Sequence, residues 1–197
     1  SLGLVDWEVL FVDDGSTDGT AHAIERRAAH EPRVRLVRHP SNLGYGAAVR
    51  TGIREAQKPW MFMTDADLQF RLAELELLLP AADRATFVQG FRLKRADVAS
   101  RVLIGSLYRR LVHALLAVPV RDPECSFRLV RTDVLRSLDI STRGPMVPVE
   151  LVVRAAERGA TFEEVGVTHR PRAHGESSAL TPRSVAMLGR DVVRLSM

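Results

Sequence analysis

The sequence predicts an α/β protein: a mostly parallel sheet flanked by helices. Three observations lead there. Short apolar runs alternate with helix-length amphipathic stretches through the first half of the 197 residues. Two of these runs stop abruptly at acidic turns, Asp13-Asp14-Gly15-Ser16 and Thr64-Asp65-Ala66-Asp67. The composition, 46% hydrophobic and 26% charged, can bury a sizeable core.

Trp7 to Val12 is an apolar run closed by a turn and reads as a buried strand. Thr17 or Asp18 can cap a helix that continues to about His30. Val34 to Val37 reads as a second strand. The loop His39 to Gly44 opens a helix over Gly44 to Ala56, and Trp60 to Met63 is a third strand running into the acidic segment. Leu72 to Leu79 is a short helix ended by Pro80, and Thr86 to Gly90 a fourth strand. Further on, Val102 to Leu116 is an amphipathic helix and Cys125 to Val130 a strand. Val149 to Arg158 is a helix stopped by Gly159, Thr161 to Val167 an edge strand, and Ser184 to Leu195 a terminal helix. Residues 1–197 read as one domain, in which segments 98–120 and 181–197 suit either packing on the sheet or lying at a membrane interface.

Composition narrows the function classes. The single cysteine, Cys125, excludes an internal disulfide and fits the cytoplasm. No stretch approaches the roughly 20 apolar residues of a membrane span. Lys and Arg total 28 against 24 Asp and Glu, and only Lys58 and Lys94 are lysine. Arginine's planar fork suits phosphate. The arginines are scattered without a stacking array or helix-turn-helix pattern, so nucleic acid is not expected as a partner.

Asp65 and Asp67 alternate on an extended segment and so point the same way, with Gln69 continuing that face. Paired carboxylates with an amide oxygen suit Mg²⁺ or Mn²⁺, which would neutralise a diphosphate leaving group. Taken alone, the same residues also fit a solvated loop. Ser16 to Gly19 are explained by turn and cap chemistry; Asp13 and Asp14 are not. Asp122 and Glu124, beside Pro123, are candidate bases if an acceptor hydroxyl must lose a proton, and they equally fit an exposed turn. The histidines show no ligand spacing; His39, His169 and His174 are placed in loops.

Val12 to Thr20 (VDDGSTDGT), Asn42 to Gly52 (NLGYGAAVRTG) and Thr64 to Gln69 (TDADLQ) resemble the family 2 glycosyltransferases with a GT-A fold. Cys125-Ser126-Phe127-Arg128 and Arg172 to Ser177 are similar to segments of its dolichyl-phosphate mannosyltransferase and polyprenyl-phosphate glycosyltransferase branch. The resemblance implies an inverting enzyme that moves a sugar from a nucleotide-sugar donor to a polyprenyl phosphate, working at the inner face of a membrane. A saccharide acceptor is the alternative, and a truncated, non-catalytic nucleotide-binding homologue is another. It implies that Asp14 contacts the nucleoside with Asp13 in support, and that Gly44, Gly46 and Arg50 shape the donor pocket. Asp65, with Ala66, would lie near ribose or diphosphate, while Asp67 and Gln69 hold the metal. Arg92 and Arg101 would meet the acceptor phosphate, and Arg172 and Ser177 would clamp the diphosphate. Relatives of this kind begin with a further strand and helix upstream of the stretch this chain spans, so the protein is expected either to continue upstream of Ser1 or to be truncated; many relatives also carry Lys where Ser178 stands, for which Arg172 or Arg183 could compensate.

Overall fold

A computed structural model gives the fold and describes residues 3–93, 112–171, 190–191 and 194–195. Strands β1 (Val9–Asp13) and β2 (Val34–Arg38) are joined by helix α1 (Thr20–Ala28) and pair in parallel. Helix α2 (Tyr45–Glu55) then leads to β3 (Trp60–Met63). A turn of 3₁₀ helix, α3 (Leu75–Leu78) and a second 3₁₀ turn (Leu79–Asp83) connect to β4 (Phe87–Arg92). After residue 112 come β5 (Arg128–Arg131), α4 (Thr132–Arg136), α5 (Val147–Glu157) and β6 (Phe162–Val167).

The larger sheet has the order β3-β5-β4-β6. β5 runs antiparallel to both β3 and β4, whereas β4 and β6 are parallel. Three of its strands therefore share one direction and β5 alone is reversed, so the sheet is mixed where the alternation of elements predicts near-uniform direction. β6 pairs only with β4, as expected of an edge strand. The fold class is the predicted α/β arrangement of sheet and flanking helices.

α2 ties the two sheets together. A side chain at Gly52 would begin 3.4 Å from Met61 of β3 and 3.7 Å from Val12 of β1, so the helix lies within contact distance of both strands. The main core gathers Val49 and Ile53 of α2, Phe87 and Val130 of the sheet, and Val147, Leu151 and Val152 of α5. A second core, on the opposite sheet face, is built on Leu78, Val88, Phe127 and Leu129. Phe62 and Phe127 meet there edge to face at 4.7 Å.

Most expected boundaries move by a few residues. In the stretch read as a helix from Leu72 to Leu79, Leu75–Leu78 is α-helical and Leu72–Glu74 is 3₁₀; the chain returns to 3₁₀ at Leu79–Asp83, where Pro80 lacks the N–H that a continuing α-helix would use. α4 was not expected at all. Residues 112–116 form the end of the helix expected over Val102 to Leu116. Val112 and Leu116 enter the main core, so this end packs on the protein. The rest of that helix, and most of the C-terminal one, lie outside the described residues.

Candidate donor and metal site

β1, β3 and β4 end at Asp13, Met63 and Arg92, and the predicted acidic motifs sit at or just beyond the first two of these ends. Ligands of open α/β sheets gather beyond such carboxyl ends.

Asp13 is committed inside its own turn, and Asp14 to the loop before α2. Asp13 is 4% exposed; it accepts from the Ser16 N–H at 2.9 Å and pairs with Arg38 at 3.2 Å. Hydrogen bonds from Ser16, against the opposing effect of burial, hold its carboxyl below the ordinary range. Asp14 is occupied on both oxygens. Oδ1 accepts from His39 Nδ1 at 2.7 Å and from the Leu43 N–H at 2.9 Å; Oδ2 accepts from the Gly44 N–H at 2.8 Å. Burial pushes the Asp14 carboxyl up, but these donors outweigh it and hold it low. His39 lies in a loop, as expected, and is buried there. Its Nε2 lies 2.9 Å from the Thr51 hydroxyl, so both ring nitrogens are engaged. Asp14 thus fastens the Asn42-Leu43-Gly44 loop to β1. Gly15 makes this possible: at φ +76°, a Cβ there would fall 2.5 Å from the Ser41 carbonyl carbon.

Gly44, at φ +95°, starts α2 and brings Tyr45 to the second acidic segment. The Tyr45 hydroxyl donates to Asp65 Oδ1 at 3.3 Å. Burial, then the charges of Asp65 and Asp67, push the Tyr45 phenol far above its usual value, so it remains a donor. Asp67 Oδ1 accepts from the Gln69 N–H at 3.1 Å, across Leu68, whose φ of +60° is unusual for a branched side chain. Gln69 is turned by the chain beyond β6. Its Nε2 donates to the Arg170 carbonyl at 3.0 Å, and its own carbonyl accepts from the Arg170 N–H at 2.8 Å. Fixing the amide nitrogen in this way fixes which way Oε1 is presented. The residues therefore fit a hard divalent cation through an all-oxygen set. Among the described residues no cluster of three or more His, Cys, Asp or Glu could hold one, so phosphate and water oxygens would have to complete its coordination.

At the end of β4, Arg92 is gripped by Asp122. Its Nε and Nη2 donate to the two carboxylate oxygens, each at 2.7 Å, and Nη2 lies 3.6 Å from Glu124. Sequence reasoning named Arg92 and Asp122 for separate roles; the structure makes them one bidentate pair, with side chains 13% and 9% exposed.

Arg50 goes elsewhere. Its guanidinium reaches the carbonyls of Ile140 and Thr142 at 3.3 and 3.2 Å, and it lines a cavity of about 270 Å³ with Arg54 and Arg136. Gly46 is where α2 meets the same loop: a Cβ there would lie 2.2 Å from the Thr142 carbonyl oxygen. That loop is anchored by Glu150, which is fully buried. It accepts from the N–H and hydroxyl of Ser141 at 2.9 and 2.8 Å, and from those of Thr142 at 2.9 and 2.6 Å. Arg101, Arg172 and Ser177 lie outside the described residues. Tyr45, His39, Glu150 and Arg128 were not singled out from the sequence as parts of the site.

The pattern of Glycosyl transferase family 2 matches residues 3–138. The chain belongs to that family. It is 33% identical over 184 residues to an undecaprenyl-phosphate mannosyltransferase of Micrococcus luteus, covering 86% of this chain and 74% of that protein. It is 31% identical over 144 residues to the dolichyl-phosphate beta-glucosyltransferase ALG5C of Trichomonas vaginalis, covering 67% of this chain but only 43% of that protein. The family 2 chain thus spans under half of one such relative. Among solved structures, glucosyl-3-phosphoglycerate synthase from Mycobacterium tuberculosis, in complex with Mn²⁺, UDP and glucosyl-3-phosphoglycerate, superposes with a TM-score of 0.71. That match has 19% sequence identity and covers 95% of this chain and 67% of that one, a likeness of fold.

Proposed function

We propose that this protein is an inverting glycosyltransferase that moves a sugar from a nucleotide-sugar donor to a polyprenyl phosphate. One observation favours that acceptor over a saccharide hydroxyl. Asp122 and Glu124, the two candidate bases, both face Arg92, and Asp122 spends both oxygens on it. A carboxylate so engaged is a poor proton acceptor. A phosphate oxygen is already anionic near neutral pH and needs none, so catalysis reduces to positioning and charge neutralisation. The acceptors in the names of the Micrococcus and Trichomonas relatives, undecaprenyl and dolichyl phosphate, support the same reading.

In this proposal Asp67 and Gln69 hold Mg²⁺ or Mn²⁺, which would supply charge neutralisation at the diphosphate. Tyr45 keeps Asp65 turned toward the donor. Asp14 serves the donor through the Leu43–Gly44 loop that it fastens. Arg92, its Nε–Nη2 edge held by Asp122, offers its remaining N–H groups to the acceptor phosphate, which attacks the anomeric carbon as the nucleoside diphosphate leaves. Arg101, Arg172 and Ser177 retain the phosphate-binding roles implied by resemblance. A lipid acceptor also makes peripheral contact with a membrane part of the proposal; no helix among the described residues is long and apolar enough to cross one.

The test offers labelled donor to polyprenyl phosphate and to free saccharides in competition. Label moving to the lipid phosphate is the expected result. Exclusive labelling of a saccharide would refute the acceptor assignment.

A further inference from the structure

Arg128 opens β5 and is 1% exposed, the largest fully buried side chain among the described residues. Burying a guanidinium is costly unless its donors are met. Its hydrogen bonds go to backbone carbonyls. Nη1 donates to Pro148 at 3.0 Å, and Nη2 to Pro123 at 3.2 Å and Cys125 at 2.6 Å. Phe87 lies 5.8 Å from the guanidinium. Burial pushes its pKa below the usual guanidinium value, and Tyr45, Cys125, Asp65 and Asp122 oppose that.

The two gripped carbonyls of residues 123 and 125 flank Glu124 in the turn that carries Asp122. Gln89, itself fully buried, holds the same turn from β4. Its Nε2 donates to the carbonyls of Asp122 at 3.2 Å and Cys125 at 2.8 Å. The turn closes on itself through the Cys125 N–H and the Asp122 carbonyl at 3.1 Å. Arg128 and Gln89 thus hold the Asp122 backbone from beneath, and Asp122 in turn holds the Arg92 fork.

We propose that Arg128 is a positioning residue for the transfer reaction: it clamps the 122–125 turn so that Asp122 can aim the guanidinium of Arg92. Its reach decides the residue type. One planar head spans three carbonyls on two segments, which a lysine ammonium, a single point donor, cannot do with the same geometry. The proposal rests on the phosphate-binding role given to Arg92 above, and two readouts separate the two ideas.

The first readout is independent of turnover. In ¹⁵N spectra of the arginine side chains of the full chain, the Arg92 Nε–H should be protected from exchange in the wild type. It should lose that protection in Arg128→Lys and in Asp122→Asn. The neutral Arg128→Gln, which carries no buried charge, serves in place of Arg128→Lys if the latter does not fold. An unchanged Arg92 signal in a folded Arg128 variant overturns the proposal, whether or not the protein transfers sugar. The second readout is kinetic, with polyprenyl phosphate as acceptor. Arg128→Lys should lower kcat by about tenfold while KM for the donor moves by less than about twofold. Added to Asp122→Asn, it should cost less than about a further twofold, because both act through one side chain. Losses that multiply would assign Arg128 to general stability and refute the relay. Absence of transfer in the wild type would refute the proposed function, while the exchange behaviour of Arg92 would still decide whether Arg128 positions it.

Discussion

Replacing Asp14 by alanine tests whether this carboxylate is chiefly a fastener. The substitution removes the acceptor for three donors at 2.7 to 2.9 Å: His39 Nδ1, the Leu43 N–H and the Gly44 N–H. A hydrogen bond to a charged group contributes about 1.5–3 kcal/mol, and an orphaned buried donor costs about 1–3 kcal/mol. The Asp14 side chain retains 20% exposure, so water can reach part of the gap. The lower end of the second range then applies, and the three contacts at about 1 kcal/mol each come to about 3 kcal/mol. For a domain of this size, each kcal/mol shifts the melting temperature by about 2–4 °C, which predicts a drop of about 6–12 °C. Asp14→Asn keeps the shape but turns an amide toward one of the donors, and should fall by about half as much. The assay is a thermal melt followed by circular dichroism in the absence of nucleotide. A ligand-contacting acid with no structural duty would leave the ligand-free melt unchanged. An Asp14→Ala melt within about 2 °C of wild type would therefore refute the fastening role.

Two further predictions follow from buried groups. Glu150→Gln loses a carboxylate that meets four donors of Ser141 and Thr142, and should destabilise by about 2–4 kcal/mol in a denaturant titration. Although burial pushes its carboxyl up, the four donors hold it below its ordinary value of 4.5. A lowered folded-state pKa means that its stabilisation is complete above that ordinary value and is lost as pH falls through the lower one. The wild type should therefore weaken more steeply than Glu150→Gln below about pH 4, and parallel pH profiles would contradict this. Cys125 is fully buried, and burial pushes its thiol up to about 11. It should ignore a thiol reagent at about pH 8 in the native protein and react once unfolded; rapid native labelling would contradict its placement.

Much of the fold was legible because local pattern and burial agree. Trp60 to Met63 reads as a strand from its apolar run and is one, with the same limits. Asp65, Asp67 and Gln69 follow it as expected. Strand direction was not legible. Cys125 to Val130 is an apolar run with nothing in it to say that β5 inserts, reversed, between β3 and β4. The role of Asp14 was hidden for a different reason. Its partners are backbone N–H groups of a loop about thirty residues away, and a sequence shows side chains, not orphan amides that need an acceptor. Glu150 and Arg128 did leave a signal. Each is a lone charge inside an apolar run, Val147 to Val153 and Ser126 to Val130. Such a residue is costly to bury and so marks a satisfied polar contact in the core. α4 is only five residues long, too short for periodicity to announce.

Cation-dependent sugar transfer at Asp67 and Gln69 is tested most directly by following labelled sugar from donor into a lipid-extractable product. The comparison is between Mn²⁺ and a chelator, in the wild type and in Asp67→Ala. Product is expected only in the wild type with the cation, with a fall of at least about a hundredfold in the variant. Undiminished transfer by Asp67→Ala, or by the wild type in chelator, would contradict a cation held at this site.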